Sequence, residues 1–259
     1  MDLGISGRTA LVCASSRGLG RACAMELAAA GCRVIVNGRD EAALLKTRDE
    51  IAVATGVDVV AVAGDVTWAE VRAELVAAAP QIDILVTNAG GPPARDFRQV
   101  DREAMLAGLE AQMIAPIQLI QAVIEKMAQR RFGRIVNITS GSVKMPMPGL
   151  DLSSGARAGL TGFLAGVARS VAAANVTINN LLPGAFDTDR IHSLVSGEAQ
   201  RSGRSREDVR SGREAAIPAR RFGHPPEFGA ACAFLCSAQA GYITGQSLLI
   251  DGGAFPGIL

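Results

Sequence analysis

The chain has 259 residues, 49% of them apolar and 20% charged, and 26 basic side chains against 25 acidic ones leave a net charge of +1. That balance excludes a disordered chain, which cannot bury enough apolar surface to offset the entropy of ordering, and it supplies no basic excess for nucleic acid. No run of about 18 uninterrupted apolar residues speaks for a membrane span, and Met1 to Gly4 shows no basic-then-apolar leader.

Short apolar runs alternate with longer helical patterns along the chain. Thr9 to Ala14 reads as a buried strand, Gly18 to Ala30 as a helix stopped by Gly31, and Arg33 to Asn37 as a second strand. Asp40 to Val53 reads as a helix with Asp40 as its N-cap, Val57 to Ala63 as a strand, about Thr67 to Ala79 as a helix, and Ile82 to Thr87 as a fourth strand. A long helix follows from about Asp101 to Arg130, bent near Pro116. Arg134 to Thr139 is a fifth strand, Ser153 to Ala174 a helix, and Val176 to Leu182 a sixth strand. About 185–216 reads as a polar, irregular stretch, the one candidate lid. A helix over about 226–237 and a strand over Ser247 to Ile250 close the chain. Continuous apolar strands separated by helices predict an α/β fold with a doubly wound parallel sheet, covered on both faces, in one domain.

Five cysteines, Cys13, Cys23, Cys32, Cys232 and Cys236, lack CxxC spacing. An odd count without it argues against a disulfide framework or a zinc ribbon, so no metal is expected and a reducing, cytoplasmic compartment fits. Cys232 and Cys236 share a helix face and read as small buried side chains.

The first strand runs into Cys13-Ala14-Ser15-Ser16-Arg17-Gly18-Leu19-Gly20, where a helix opens. Glycines at such a junction let backbone approach a pyrophosphate, and the helix N-terminus offers free N–H groups and a positive dipole end. A site for NAD places Asp or Glu at the end of the second strand. Here that end is Asn37-Gly38-Arg39, so Arg39 and Arg17 are the candidates to grip a ribose 2′-phosphate, and NADP(H) is the expected cofactor.

With this turn the chain resembles the short-chain dehydrogenase/reductase family, nearly end to end. Asp65-Val66 after the third strand matches the family's adenine contact, Asn88-Ala89-Gly90-Gly91 its Asn-Ala-Gly signature, and Pro183-Gly184 followed by Thr188 its Pro-Gly motif beside the nicotinamide. Tyr242 to Gly245 and Asp251 to Gly253 match its C-terminal pattern, which implies packing for Tyr242. The members it looks most like are 3-oxoacyl-acyl-carrier-protein reductases. The resemblance implies a Rossmann fold, a small-molecule carbonyl substrate, and a homo-oligomer, tetramer or dimer, built partly on the two long helices.

The departures fall on the chemistry. Cys13 and Ala14 stand where the family's Thr-Gly opens the glycine motif. Ser140 aligns with its catalytic Ser, but thirteen residues on is Ser153 instead of Tyr, and four further is Arg157 instead of Lys. Gln112 falls at its helix Asn. A phenol can be tuned toward neutrality by a nearby cation and exchange a proton with a carbonyl oxygen; a serine hydroxyl is a far weaker acid, and arginine holds its proton. The expected activity is NADP(H)-dependent carbonyl reduction. In it Ser140 orients the oxygen, Arg157 stabilises oxyanion charge and Ser153 adds a hydrogen bond or holds a water. A nucleotide-binding protein with little redox activity, or a lyase or isomerase on the same scaffold, are the alternatives. Of the other polar residues, Lys144 reads as a solvated loop lysine that could reach the cleft, Asp151 as a proton carrier or a helix cap, His192 as a lid residue that could touch substrate, and His224 as turn chemistry. The Arg-rich stretch Arg201 to Arg213 reads as a solvated helix face or a surface for an anionic substrate or acidic carrier.

Overall fold

A computed structural model describes residues 2–91 and 94–257. Seven strands form one parallel sheet in the order β3-β2-β1-β4-β5-β6-β7. They are β1 (Thr9–Val12), β2 (Arg33–Gly38), β3 (Val59–Ala63), β4 (Ile84–Thr87), β5 (Gly133–Ile138), β6 (Val176–Pro183) and β7 (Ser247–Ile250). The order reverses between β1 and β4, which pair as Val12↔Val86, so a crevice opens beyond the carboxyl ends of these two strands.

Alternation along each strand divides the core into two layers. Ala10, Val12, Val34, Val36, Ile84 and Val86 face α1 (Gly18–Ala29), α2 (Glu41–Thr55) and, further along the chain, the helix over Pro225–Leu235. Leu11, Cys13, Ile35 and Leu85 face the opposite layer. There α3 (Ala69–Ala77), the helices within 102–129 and a helix over Asp151–Val171 supply Leu75, Leu119, Val123, Leu160 and Leu164. Both faces are dry, which is why the strands carry unbroken apolar runs.

The expected long helix is α4 (Arg102–Leu109), a π turn over Glu110–Ile114, and α5 (Ala115–Gln129). The bend foreseen at Pro116 is this wider turn. Pro116 has no N–H to give the carbonyl four residues back, and its ring crowds that carbonyl, so the extra residue is accommodated there. Over Arg102–Gln129 the helical run is long and apolar enough to cross a membrane. Its apolar stripe, Leu119, Ile120, Val123 and Met127, is instead buried against the sheet. α6 (Asp151–Val171) lies beside it.

The stretch 185–216 is not irregular. It forms α7 (Asp189–Ser202) and α8 (Arg206–Ala215), joined at Gly203. Val195, Ala199 and Val209 make a small core of their own between them. Low mean hydropathy hid these helices, because only one narrow stripe of each is apolar. Two of their arginines are matched: Arg213 pairs with Glu198, and Arg210 with Glu214 and Asp187. α9 (Pro225–Leu235) completes the fold and packs on α1.

Candidate active site

The loops after β1, β4, β5 and β6 all end at the crevice. In the first, Ala14 adopts φ +44, the left-handed region that favours glycine. The strain is held by hydrogen bonds: Ala14 N–H donates to Asn37 Oδ1 at 3.2 Å, Ser15 Oγ donates to the Val12 carbonyl at 2.7 Å, and Asn88 Nδ2 donates to the Ala14 carbonyl at 3.2 Å. Gly20 permits the close approach of helix to turn, since a Cβ there would lie 2.3 Å from the Ala14 oxygen. Arg17 is the extended N-cap of α1, and no side chain caps the helix and no acidic residue stands in its first turn. These first-turn amides, with Ser16, Gly18 and the backbone of Leu19, form a cradle suited to a pyrophosphate. The Leu19 side chain itself turns into the core.

Asn37 requires a correction. Its side chain is buried, accepts from Ala14 N–H, and donates to the carbonyls of Val62 and Gly64 at 3.1 Å each. With all of its amide engaged, it ties the ends of β1, β2 and β3 together and offers nothing to a cofactor.

At the end of the crevice expected to take adenosine, Arg17 pairs with Asp40 at 3.0 Å and Arg39 with Asp65 at 3.7 Å. Asp65 also accepts from Thr67 N–H and Oγ1–H, beside buried Val66. Both arginines are largely exposed. Exposed ion pairs of this kind contribute at most about 1 kcal/mol, so exchanging the carboxylates for a phosphate costs little. The capping expectation for Asp40 holds: it also accepts from Ala43 N–H at 3.1 Å.

At the other end, Gln112 in the π turn donates to the Gly90 carbonyl at 2.8 Å and fixes the loop of Asn88, Ala89 and Gly90. Gly184, after Pro183, is required by packing, since a Cβ would meet Asp251 at 2.6 Å. Thr188 is the N-cap of α7, and its methyl lies 3.9 Å from where a Gly18 Cβ would stand, so the turn after β6 overlies the turn after β1. The residues fit a dinucleotide along this crevice.

Ser153 and Arg157 face inward from α6 one turn apart, 6% and 7% exposed. Arg157 Nε donates to Ser153 Oγ at 3.3 Å, and its Nη1 donates to the carbonyls of Ile138, at 2.7 Å, and Thr139. No carboxylate pairs with it among the described residues, so burial, and then the nearby Arg190 charge, push its pKa down to about 10. It remains a cation at neutral pH. Its guanidinium is anchored to the end of β5, from which Ser140 emerges. Ser140 Oγ accepts from Ser142 N–H at 3.1 Å and lies 2.9 Å from Ser142 Oγ.

The other polar candidates separate from this group. His192 Nε2 meets Asp187 at 2.7 Å, and Arg210 meets the same carboxylate at 3.0 Å; Arg210 first, then His192, hold Asp187 below the usual carboxylate range. His224 is the N-cap of α9, and its backbone N–H donates to Glu227 Oε2 at 2.7 Å. Asp151 Oδ2 accepts from Gly149 N–H. Lys144 is half-buried with no side-chain partner among the described residues. Tyr242 is fully exposed, not packed. Among the described residues no cluster suits a metal ion. A cavity of about 220 Å³ lies beside Gly18 and Thr188, between α1 and α9, away from Ser153 and Arg157.

Two features escaped sequence analysis. A buried chain of polar contacts crosses the sheet from Thr87 to Asn137, to Asn180, to Ser247. Arg134, fully buried in β5, spends its guanidinium on the carbonyls of Gly133, Asn175 and Ser237. The only sequence signal for either was a polar residue inside an apolar strand.

A family model described as enoyl-(acyl carrier protein) reductase matches residues 13–254. The chain is 32% identical over 253 residues to 3-oxoacyl-[acyl-carrier-protein] reductase FabG of Escherichia coli, covering 98% of this chain and 99% of that protein. It is 33% identical to nodulation protein G of Azospirillum brasilense over 96% and 98% of the two chains. Among solved structures it is similar to YwfH, an NADPH dependent reductase involved in bacilysin biosynthesis, with a TM-score of 0.92 and 30% identity over 98% of this chain and 100% of that one. It is also similar to L-sorbose reductase of Gluconobacter frateurii complexed with NADPH and L-sorbose, with a TM-score of 0.95 and 26% identity over the full length of both. With the parallel sheet, the uncapped glycine turn and the Asn88 loop, these likenesses show that the chain belongs to the short-chain dehydrogenase/reductase family.

Proposed function

We propose that the protein is an NADP(H)-dependent oxidoreductase that reduces a small-molecule carbonyl with a rebuilt site. The observation that carries this is the contact from Arg157 to Ser153. Because Ser153 Oγ accepts the Nε–H, its own hydrogen is free to donate to a substrate oxygen. The cofactor, when bound, supplies the hydride. The protein's own part is to hold the carbonyl between Ser140 and Ser153 and to meet the growing negative charge on its oxygen with the Arg157 cation. Neither serine nor arginine gives up a proton readily at neutral pH, so the alkoxide takes its proton from solvent. Arg17 and Arg39 select the 2′-phosphate, and NADP(H)-linked relatives support that choice. The cofactor set is then Ala14, Ser16, Arg17, Gly18, Leu19, Gly20, Arg39, Asp65, Val66, Asn88, Ala89, Gly90, Pro183, Gly184 and Thr188, with α7 and α8 as the lid.

The non-catalytic alternative draws on one observation, that Arg157 Nη1 is spent on backbone carbonyls. Turnover decides between them. NADPH oxidation is followed with a ketone panel for the parent, Arg157→Ala, and Ser153→Tyr with Arg157→Lys, singly and together. We expect Arg157→Ala to slow the parent by about 10²–10³, the cost of losing one oxyanion donor. The double variant should exceed either single one, because a tyrosine proton donor needs the neighbouring cation. A parent that binds NADPH and reduces nothing would overturn the assignment.

The protein is further proposed to form a cytoplasmic homo-oligomer. Phe163 on α6 and Met105, Leu106 and Ile114 on the neighbouring helical run are exposed. A monomeric mass by light scattering would refute the oligomer.

A further inference from the structure

Ser140 leaves the end of β5 as the N-cap of a short 3₁₀ turn over Gly141–Val143. Gly141 lets that turn press on the end of β6, since a Cβ there would lie 3.3 Å from the Pro183 carbonyl oxygen. Val143 N–H donates to the Ser140 carbonyl at 3.1 Å and Lys144 N–H to that of Gly141 at 3.0 Å, so the turn is closed on itself. Ser142 stands inside it and is 1% exposed. Its N–H donates to Ser140 Oγ at 3.1 Å, and its Oγ lies 2.9 Å from the same atom. Ser142 Oγ has no other hydrogen-bond partner among the described residues. A buried hydroxyl whose hydrogen is left unpaired costs free energy, so the Ser142 O–H points at Ser140 Oγ. A serine oxygen has two lone pairs. Ser142 fills both of them on Ser140, and the one hydrogen of Ser140 is left for the crevice.

Ser153 is backed by the scaffold in a similar way. Its Oγ accepts from Arg157 Nε at 3.3 Å, and Arg157 Nη1 donates to the carbonyl of Thr139, the residue before Ser140. The two hydroxyls therefore belong to one hydrogen-bonded group. We propose that Ser142 is a positioning residue of this site: by giving both of its donors to Ser140 Oγ it fixes the Ser140 hydroxyl as a donor, so that the site takes an acceptor oxygen, a carbonyl, in preference to a hydroxyl. An alcohol that meets Ser140 finds no lone pair there for its own hydrogen. The Ser142 hydroxyl also polarises that of Ser140, since hydrogen bonds in a chain strengthen one another. This inference rests on the proposed oxidoreductase activity and names the residue that sets its preference between ketone and alcohol.

The test is a double-mutant cycle read by NADPH oxidation. Cyclohexanone, acetophenone and ethyl acetoacetate serve as substrates, and the corresponding alcohols as product inhibitors. On the fastest of the three, Ser142→Ala should lower kcat by about three- to tenfold, the scale of one hydrogen bond, with KM and NADPH affinity within about twofold. It should tighten inhibition by the alcohol by about threefold, because Ser140 regains a free lone pair. In a Ser140→Ala background the same change should move neither quantity, because its effect passes through Ser140. A merely structural role would lower the melting temperature and give additive losses in the cycle, with the balance between ketone and alcohol unmoved. Either additivity or unchanged alcohol inhibition in Ser142→Ala overturns the proposal and leaves the oxidoreductase assignment standing. A parent that binds NADPH and reduces none of the three ketones overturns both.

Discussion

Ala14 occupies a backbone conformation that costs an L-residue roughly 1 kcal/mol relative to glycine. The methyl group therefore stores strain at the mouth of the crevice without closing it. Ala14→Gly should raise the melting temperature by about 2–4 °C, the shift that 1 kcal/mol gives in a chain of this size. It should change NADPH affinity by less than about fivefold, as fluorescence titration would show; a hundredfold change would mean that the turn has another geometry. At Arg157, the position proposed to correspond to the family's lysine, the side chain anchors itself to the scaffold. Three of its N–H groups go to Ser153, Ile138 and Thr139. A lysine has one nitrogen and could not span them. On that proposal the site keeps the charge and surrenders the proton chemistry. Sequence spacing alone brought Ser153 and Arg157 to one face, because residues four apart on a helix must share it. What Arg157 donates to was not legible, since carbonyl groups at the end of a strand leave no trace in residue identity. Asn37 was misjudged for a related reason. A polar residue at a strand end can serve a ligand or the chain, and only the backbone trace shows that it bridges three strands.

Between residue and fold stands the π turn of Glu110–Ile114. It brings Gln112 under the loop after β4, where its amide satisfies the Gly90 carbonyl. Gln112→Ala would leave that carbonyl without its partner, at a cost of about 1–3 kcal/mol. We expect a lower melting temperature together with weaker NADPH binding; unchanged affinity would show that the loop holds its shape unaided. The elements themselves were largely legible, because continuous apolar strands and helix caps such as Asp40 are local signals. The two helices of 189–215 were not. α7 and α8 are polar except for Ile191, Leu194, Val195, Ala199, Val209 and Ala215, and their caps, Thr188 and Ser205, stand in a stretch rich in similar residues. Ion pairs such as Arg213 with Glu198 join them, and these depend on tertiary placement that composition does not encode.

On the proposed reading the crevice divides the labour across the whole molecule: adenosine and phosphates beyond β1 to β3, chemistry beyond β4 to β6. A dinucleotide lying along it links both halves, so binding should stabilise the entire fold. NADPH at 100 times its dissociation constant adds about 2.7 kcal/mol, and thermal scans should show a rise of several degrees. NADH at the same concentration should give a smaller rise. Arg39→Asp should bring the two together or reverse their order, because the 2′-phosphate would then face a carboxylate. An unmodified protein equally stabilised by both cofactors would contradict the role given to Arg17 and Arg39.

All five cysteines are buried and free. Burial pushes Cys13 and Cys32 up to about 12; hydrogen bonding to a neighbouring thiol, Cys23 for Cys232 and Cys232 for Cys236, together with burial, raises the other two well above the usual thiol range. Only the thiolate attacks an alkylating reagent, so the native molecule is silent toward one at neutral pH. Cys13 sits on the α5 side of the sheet and Cys23, Cys32, Cys232 and Cys236 on the α1 side. Each layer therefore contains its own clock. The time at which each thiol becomes labelled in dilute denaturant reports whether the two halves of the core open together or one before the other, with no engineered probe.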